Sequence, residues 1–155
     1  MQLGTLCYIR NGNSILMLHR TKKVNDDMAG YWIGLGGHID TLHGESPHEC
    51  VVREVREESG LVIQPTLRAI VTFRNVEKET DDWYAYIFTA ETSSTTVTEC
   101  SEGELAWIPY NSLKDLKLID GDRLLITWLY EQDKFISAKF IYNQKQLVDH
   151  TVIFS

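Results

Sequence analysis

A chain of 155 residues, 43% hydrophobic and 24% charged, is long enough for one sizeable core and too short for two ordinary domains, so a single domain over residues 1–155 is expected. Its formal charge of -7 argues against broad contact with a nucleic-acid polymer, which needs clustered Lys and Arg, yet permits a small anionic substrate bridged through metal ions. No apolar run reaches bilayer-spanning length, and the N-terminal MQLGTLCYIR lacks the basic and apolar regions of a secretory signal.

Thr5 to Ile9 and Ser14 to His19 are short apolar runs on either side of Asn11-Gly12. That dipeptide accepts the positive φ angles of a tight hairpin turn, so flanking strands are expected. A polar loop from Thr21 to Gly30 follows, and Tyr31 to Gly36 leads into a double glycine that permits close backbone passage. Ser46, Pro47 and Glu49 form a helix start: Ser46 as N-cap, Pro47 at the first helical position, Glu49 closing a capping box. Val51, Val52 and Val55 give this helix an apolar stripe, and Gly60 suits its left-handed C-terminal cap. Thr66 to Phe73 and Trp83 to Ala90 are rich in β-branched and aromatic residues, separated by a charged loop from Glu77 to Asp82, the pattern of paired strands. Leu105 to Pro109 reads as a further strand. Gly121 to Asp133 reads as a helix buried through Leu124, Leu125, Trp128 and Leu129, and both Phe135 to Tyr142 and Leu147 to Phe154 as extended. Strands around two helices predict an α+β fold.

Within the first helix Glu54, Glu57 and Glu58 are spaced to crowd onto one face. Like charges so placed repel unless cations neutralise them, and an all-oxygen acidic face suits Mg2+ or Mn2+ better than zinc. Arg53, one turn before Glu57, is placed to pair with it and fix its direction. The competing reading is a solvated helix with salt-bridged glutamates. The company of Gly36-Gly37, the cap, Arg53 and Gly60-Leu61 favours the metal site. His38 and His43 have no partner at metal-ligand spacing and read as loop histidines. Cys7, Cys50 and Cys100, odd in number and without metal spacing, fit reduced thiols and a cytoplasmic location.

These residues resemble the Nudix hydrolases, whose signature is G-x5-E-x7-R-E-U-x-E-E-x-G-U, with U a bulky aliphatic. Glu45, seven intervening residues, then Arg53, Glu54, Val55, Arg56, Glu57, Glu58, Ser59, Gly60 and Leu61 match it. Gly37 precedes Glu45 by seven intervening residues instead of five, so the loop around Asp40 to Gly44 holds two extra residues. The resemblance implies an α/β/α sandwich with a mixed β-sheet. It implies Glu54, Glu57, Glu58 and the Gly37 carbonyl as ligands of Mg2+, with Mn2+ as the substitute, and water attack on a nucleoside diphosphate linkage, with Glu57 and Glu54 in the catalytic set and Arg53 orienting them. Some relatives draw the general base from a later loop, where Glu102 is the best positional match and Glu99 and Glu104 are alternatives. A plain loop carboxylate in water is the competing reading of Glu102.

The segments YWIGLGG (31–37), DDWYAYIF (81–88), EGELAWIP (102–109) and SAKF (137–140) extend the resemblance towards bacterial MutT-type enzymes acting on oxidised guanine nucleotides such as 8-oxo-dGTP. In that group an acid before the last helix reads the purine edge. Asp122 matches best, Asp120 next, and either also suits an N-cap. Related enzymes carry a stacking tryptophan near Ile119 and a base-reading asparagine near Ile33. Phe73 and Trp83 are candidates for an aromatic wall, against a reading as sheet core. Arg20, with Lys22 or Lys23 as substitutes, follows a strand and is a candidate for the phosphates, against a solvated basic turn. The expected reaction turns a nucleoside triphosphate, 8-oxo-dGTP first among them, into monophosphate and pyrophosphate. The alternatives are an ADP-ribose or dinucleoside polyphosphate hydrolase, and a nucleotide-binding sensor without turnover.

Overall fold

Gly12, at φ 57, closes the turn between β1 (Gln2–Asn11) and β2 (Ser14–Arg20), and the remaining strands assemble around this pair. In the computed structural model, which describes residues 1–155, these are β3 (Trp32–Ile33), β4 (Leu35–His38), β5 (Thr66–Asn75), β6 (Trp83–Glu91), β7 (Gly103–Pro109), β8 (Ile136–Asn143) and β9 (Gln146–Phe154). All nine join one mixed sheet: the order β3-β2-β1-β6-β5-β8-β9, with β4 on β1 and β7 on β2. β1 runs parallel to β6 and β5 parallel to β8, while the other pairs are antiparallel. β1 is longer than the expected Thr5–Ile9 because β6 pairs with it from Gln2 to Arg10, a partner more than seventy residues away that leaves no local mark.

The pleat sends alternate side chains to opposite faces, and each face receives one helix. α1 (Pro47–Ser59) covers Cys7, Ile9, Leu16 and Phe88 with Val51 and Val55. α2 (Asp120–Glu131) covers Tyr8, Met17, Val71 and Phe140 with Leu125 and Ile126. Each buried aliphatic or aromatic side chain contributes about 1.5–3 kcal/mol, and β8 adds Ile136 and Phe140, both fully buried, to the second core. Helix, sheet and helix therefore form the α/β/α arrangement.

The start of α1 is made as its sequence dictates. The Ser46 hydroxyl accepts from Glu49 N at 3.1 Å, Glu49 Oε2 accepts from Ser46 N at 2.9 Å, and Gly60 ends the helix at φ 78. α2 differs from expectation at both ends and in its stripe. It starts at Asp120 with Ile119 in the N-cap position and no side-chain cap, so neither Asp120 nor Asp122 plays that part. Instead the Tyr142 hydroxyl, arriving from β8, accepts from Gly121 N at 2.6 Å. Ile126 joins Leu125 and Leu129 in the buried stripe, whereas Leu124 and Trp128 are half-buried.

The two extra residues before α1 are absorbed in a turn of 3-10 helix, Thr41–His43. Asp40 accepts from His43 N at 3.3 Å and Nδ1 at 2.7 Å, and Gly44 leaves the turn at φ 69.

Candidate active site

The first turns of α1 rest on β4, and two glycines make that approach possible. Gly36 lies at φ 153, and a side chain there would overlap the Thr5 carbonyl. A methyl on Gly37 would come within 2.5 Å of the Glu54 carboxyl carbon. Gly36 N donates to Glu58 Oε1 at 2.8 Å. Glu54 and Glu58, four residues apart, thus face inward onto the β4 backbone, while Glu57 remains outside with its side chain 59% exposed. The three carboxylates do not share one face evenly: helix geometry turns two of them to the sheet and one to the rim.

Burial decides their electrostatics. The Glu58 carboxyl is pushed up to about 8, first by desolvation and then by the charges of Glu102 and Glu54, against the opposing Gly36 N–H. Glu54 is raised as well, again chiefly by burial. Carboxylates held where their own charge is disfavoured are ones for which a cation is a favourable neighbour.

Arg53 organises the outer side. Its Nε and Nη2 grip Glu45 in a fork at 2.6 and 2.8 Å, and its Nη1 reaches Glu54 at 2.8 Å and Glu57 at 3.3 Å. The expected pairing with Glu57 is present, but the bidentate bond to Glu45 is tighter, and it draws the Glu45 carboxyl down to about 2. Glu45 was the residue that helical spacing did not single out, because it lies before the helix. Its match to the quoted signature is the available signal.

On the sheet side, Glu102 stands immediately before β7. Its Oε2 accepts from Arg20 Nη1 at 3.3 Å, and its charge acts on both Glu54 and Glu58. Glu99 and Glu104 are exposed. Arg20 is engaged by two carboxylates, with Nε on Asp26 at 2.6 Å. Lys22 Nζ donates to the Cys100 carbonyl at 3.3 Å, and Lys23 is exposed.

The candidates for the base lie on the α2 face. Phe73 and Trp83 are cross-strand partners. Phe73 packs on Phe140 and Tyr142, with ring centroids 5.6 and 6.3 Å away. Trp83 lies over Gly4 beside the His38 ring at 4.5 Å. Asp122 is 2% exposed, its Oδ1 has no partner, and burial raises its carboxyl to about 7. Asp120 is exposed. Ile33 and Ile119 are half-buried, and Trp32 stacks on His19 at 4.4 Å. Arg20, Glu54, Glu58 and Glu102 therefore act on one another, while Phe73 and Trp83 pair across two strands and Asp122, on α2, acts on Tyr8 and Tyr142. A cleft of 520 Å³ between Tyr110 and α2, lined in part by Lys114 and Arg123, contains neither group.

No three acidic, histidine or cysteine side chains close into a ready-made cage. The donors at hand, the Glu54, Glu57 and Glu58 carboxylates and the Gly37 carbonyl, are all oxygen. They fit a hard cation such as Mg2+, which binds through one or two carboxylates, waters and substrate phosphates.

A family model described as the NUDIX domain matches residues 1–129. A protein of Bacillus subtilis described as an uncharacterized Nudix hydrolase, YvcI, is 27% identical over 146 residues, which cover 92% of this chain and 87% of that one. Among solved structures, a MutT protein from Bacillus halodurans superimposes with a TM-score of 0.84 at 24% identity, covering 98% of this chain and 97% of that one. The NUDIX domain of Shewanella oneidensis NrtR, solved with ADP ribose, gives 0.70 at 20% identity, covering 84% and 87%. At such identities these two likenesses speak for the fold.

Proposed function

The chain belongs to the Nudix family and is a Nudix-type hydrolase, and from that premise we propose that it cleaves nucleoside triphosphates to monophosphate and pyrophosphate, with 8-oxo-dGTP as its leading substrate. The observation that carries this reading is the pressing of two charge-disfavoured carboxylates, half-buried Glu54 and buried Glu58, onto the Gly36-Gly37 backbone. Such an arrangement is costly for folding alone and useful for gathering cations against a polyphosphate.

Glu54, Glu57, Glu58 and the Gly37 carbonyl would hold Mg2+, with Mn2+ as the substitute. When bound, such an ion would supply positive charge beside the phosphate oxygens and favour ionisation of nearby water. Arg53 keeps Glu54 and Glu57 aimed through its anchor on Glu45. Glu102, at the edge of the same cluster, takes the proton of the attacking water, and Arg20 adds positive charge where the phosphates would lie. Phe73 and Trp83 wall the base, and Asp122, neutral below about pH 7, is an acid able to donate as well as accept along a purine edge.

A nucleotide panel with Mg2+ tests this. Release of pyrophosphate from a triphosphate, fastest from 8-oxo-dGTP, supports the reading. AMP from ADP-ribose, the ligand of the S. oneidensis neighbour, or cleavage of a dinucleoside polyphosphate would replace the substrate class. Tight binding without products would replace catalysis by sensing.

A further inference from the structure

Asp26 sits in the loop between β2 and β3, outside the signature helix, with a side chain only 8% exposed. Its Oδ1 accepts from Met28 N at 3.1 Å, which pins the loop, and its Oδ2 accepts from Arg20 Nε at 2.6 Å. Arg20 is itself 14% exposed, so its charge requires partners. A guanidinium is planar, and fixing Nε fixes the direction of both terminal nitrogens. With Asp26 on one edge, Nη1 is left to meet Glu102 at 3.3 Å.

The main chain around Glu102 is tied to the same segment. Its carbonyl accepts from Thr21 N at 3.3 Å and Lys22 N at 3.1 Å, and the Cys100 carbonyl accepts from Lys22 Nζ at 3.3 Å. The placement of the Glu102 carboxylate is therefore set from the Arg20 side, with Asp26 as the outermost link. Asp26 also competes for the arginine. Without its charge, Arg20 keeps Glu102 as its one hydrogen-bonded carboxylate, with Glu58 acting on it only through its charge, and would turn its two-nitrogen fork onto Glu102, the stronger bidentate arrangement. A carboxylate so paired is a poorer proton acceptor.

We propose that Asp26 is a positioning residue that holds Arg20 in a single-point contact with Glu102 and so keeps that carboxylate aimed and free to accept a proton. The inference rests on the assignment of Glu102 as general base.

A double-mutant cycle tests it on whichever diphosphate substrate the wild-type enzyme turns over, so that a wrong substrate class leaves the cycle readable. Asp26→Asn should lower kcat about tenfold or more, the scale on which supporting partners act, and change KM less than about threefold. In a Glu102→Gln background the same substitution should add nothing, and Asp26→Glu should restore part of the rate. Arg20→Lys, which removes the fork and keeps the charge, should show the same dependence on Glu102 and serves if Asp26→Asn does not fold. Effects of Asp26→Asn and Glu102→Gln that multiply would overturn the link, as would a wild-type kcat in folded Asp26→Asn. A wild-type rate in Glu102→Gln would remove the general base and the inference together, while leaving pyrophosphate release by the wild-type enzyme to judge the proposed reaction. Absence of any turnover by the wild-type enzyme would overturn the inference along with the proposed function.

Discussion

The two faces of the sheet each bury an acid whose charge is disfavoured, and they do so in opposite company. Glu58, on the α1 face, is met by Gly36 N–H and lies near Arg20, Glu54 and Glu102. Asp122, on the α2 face, is fully enclosed with Oδ1 unpartnered, and its shift has burial as its sole cause. The first is part of a network of opposed charges, the kind of site that gains by binding a cation. The second is a buried acid with no cation near it, close enough to the Tyr8 and Tyr142 hydroxyls to act on both, a site that gains by staying neutral.

The comparison breaks first if the outer carboxylate is dispensable. Glu57→Gln leaves the inward pair and the core untouched, and it is expected to cut Mg2+-dependent turnover by about 100-fold or more with an unchanged melting temperature, since it removes a proposed metal ligand. Steady-state rates and a thermal melt on the same preparation decide it, and a near-normal rate in the folded variant would end the assignment. Next in size is Arg53→Lys. A point charge cannot reproduce the fork on Glu45 while also reaching Glu54 and Glu57, so turnover and Mn2+ affinity should fall about 10- to 100-fold. Mn2+ titration followed by electron paramagnetic resonance measures the second quantity directly.

Asp122→Asn sharpens the other half of the comparison. In the folded protein the Asp122 carboxyl is raised from 3.8 to about 7. Its contribution to stability is therefore fully present below about pH 4 and is lost as pH rises through 7. Asparagine cannot ionise, so the variant should lack this loss. Denaturant titrations should show the variant gaining roughly 2–4 kcal/mol on wild type between pH 4 and pH 8. Parallel curves for the two proteins would mean that Asp122 is not the buried neutral acid described above.

How much of this was readable beforehand follows the range of the interactions. The hairpin turn at Asn11-Gly12 and the Ser46-Glu49 capping box are complete within a few residues, and both appear in the fold where their chemistry places them. The carboxylate spacing of α1 was equally plain, but spacing alone did not tell Glu54 and Glu58, turned to β4, from Glu57 at the rim. Contacts made across the fold left no local trace. Arg20 meets Glu102 82 positions along the chain, Tyr142 takes the place of a cap at Gly121, and β1 extends because β6 lies beside it. Asp26, a polar residue in a polar loop, has no pattern at all until Arg20 is seen to need it.

The smallest expected effect concerns the segment that departs from the family spacing. Thr41–His43 forms its own turn, with Leu42 91% exposed and the His43–Asp40 pair on the surface, where such a pair contributes about 0–1 kcal/mol. Loop-closure entropy changes slowly with length, and the Ser46 cap restarts the chain independently of what precedes it. The insertion reaches the site by two paths: the backbone from Gly37 through His38, whose carbonyl accepts from Arg53 Nη2 at 3.3 Å, and Asp40, whose N–H donates to Glu45 Oε1 at 3.0 Å. Deleting Thr41 and Leu42 should therefore move stability by no more than about 1 kcal/mol and turnover by less than about threefold. A large loss of Mg2+-dependent rate in a deletion variant of normal stability would show that the longer loop sets the Gly37 carbonyl, and that the α1 face depends on its approach as well as on its helix.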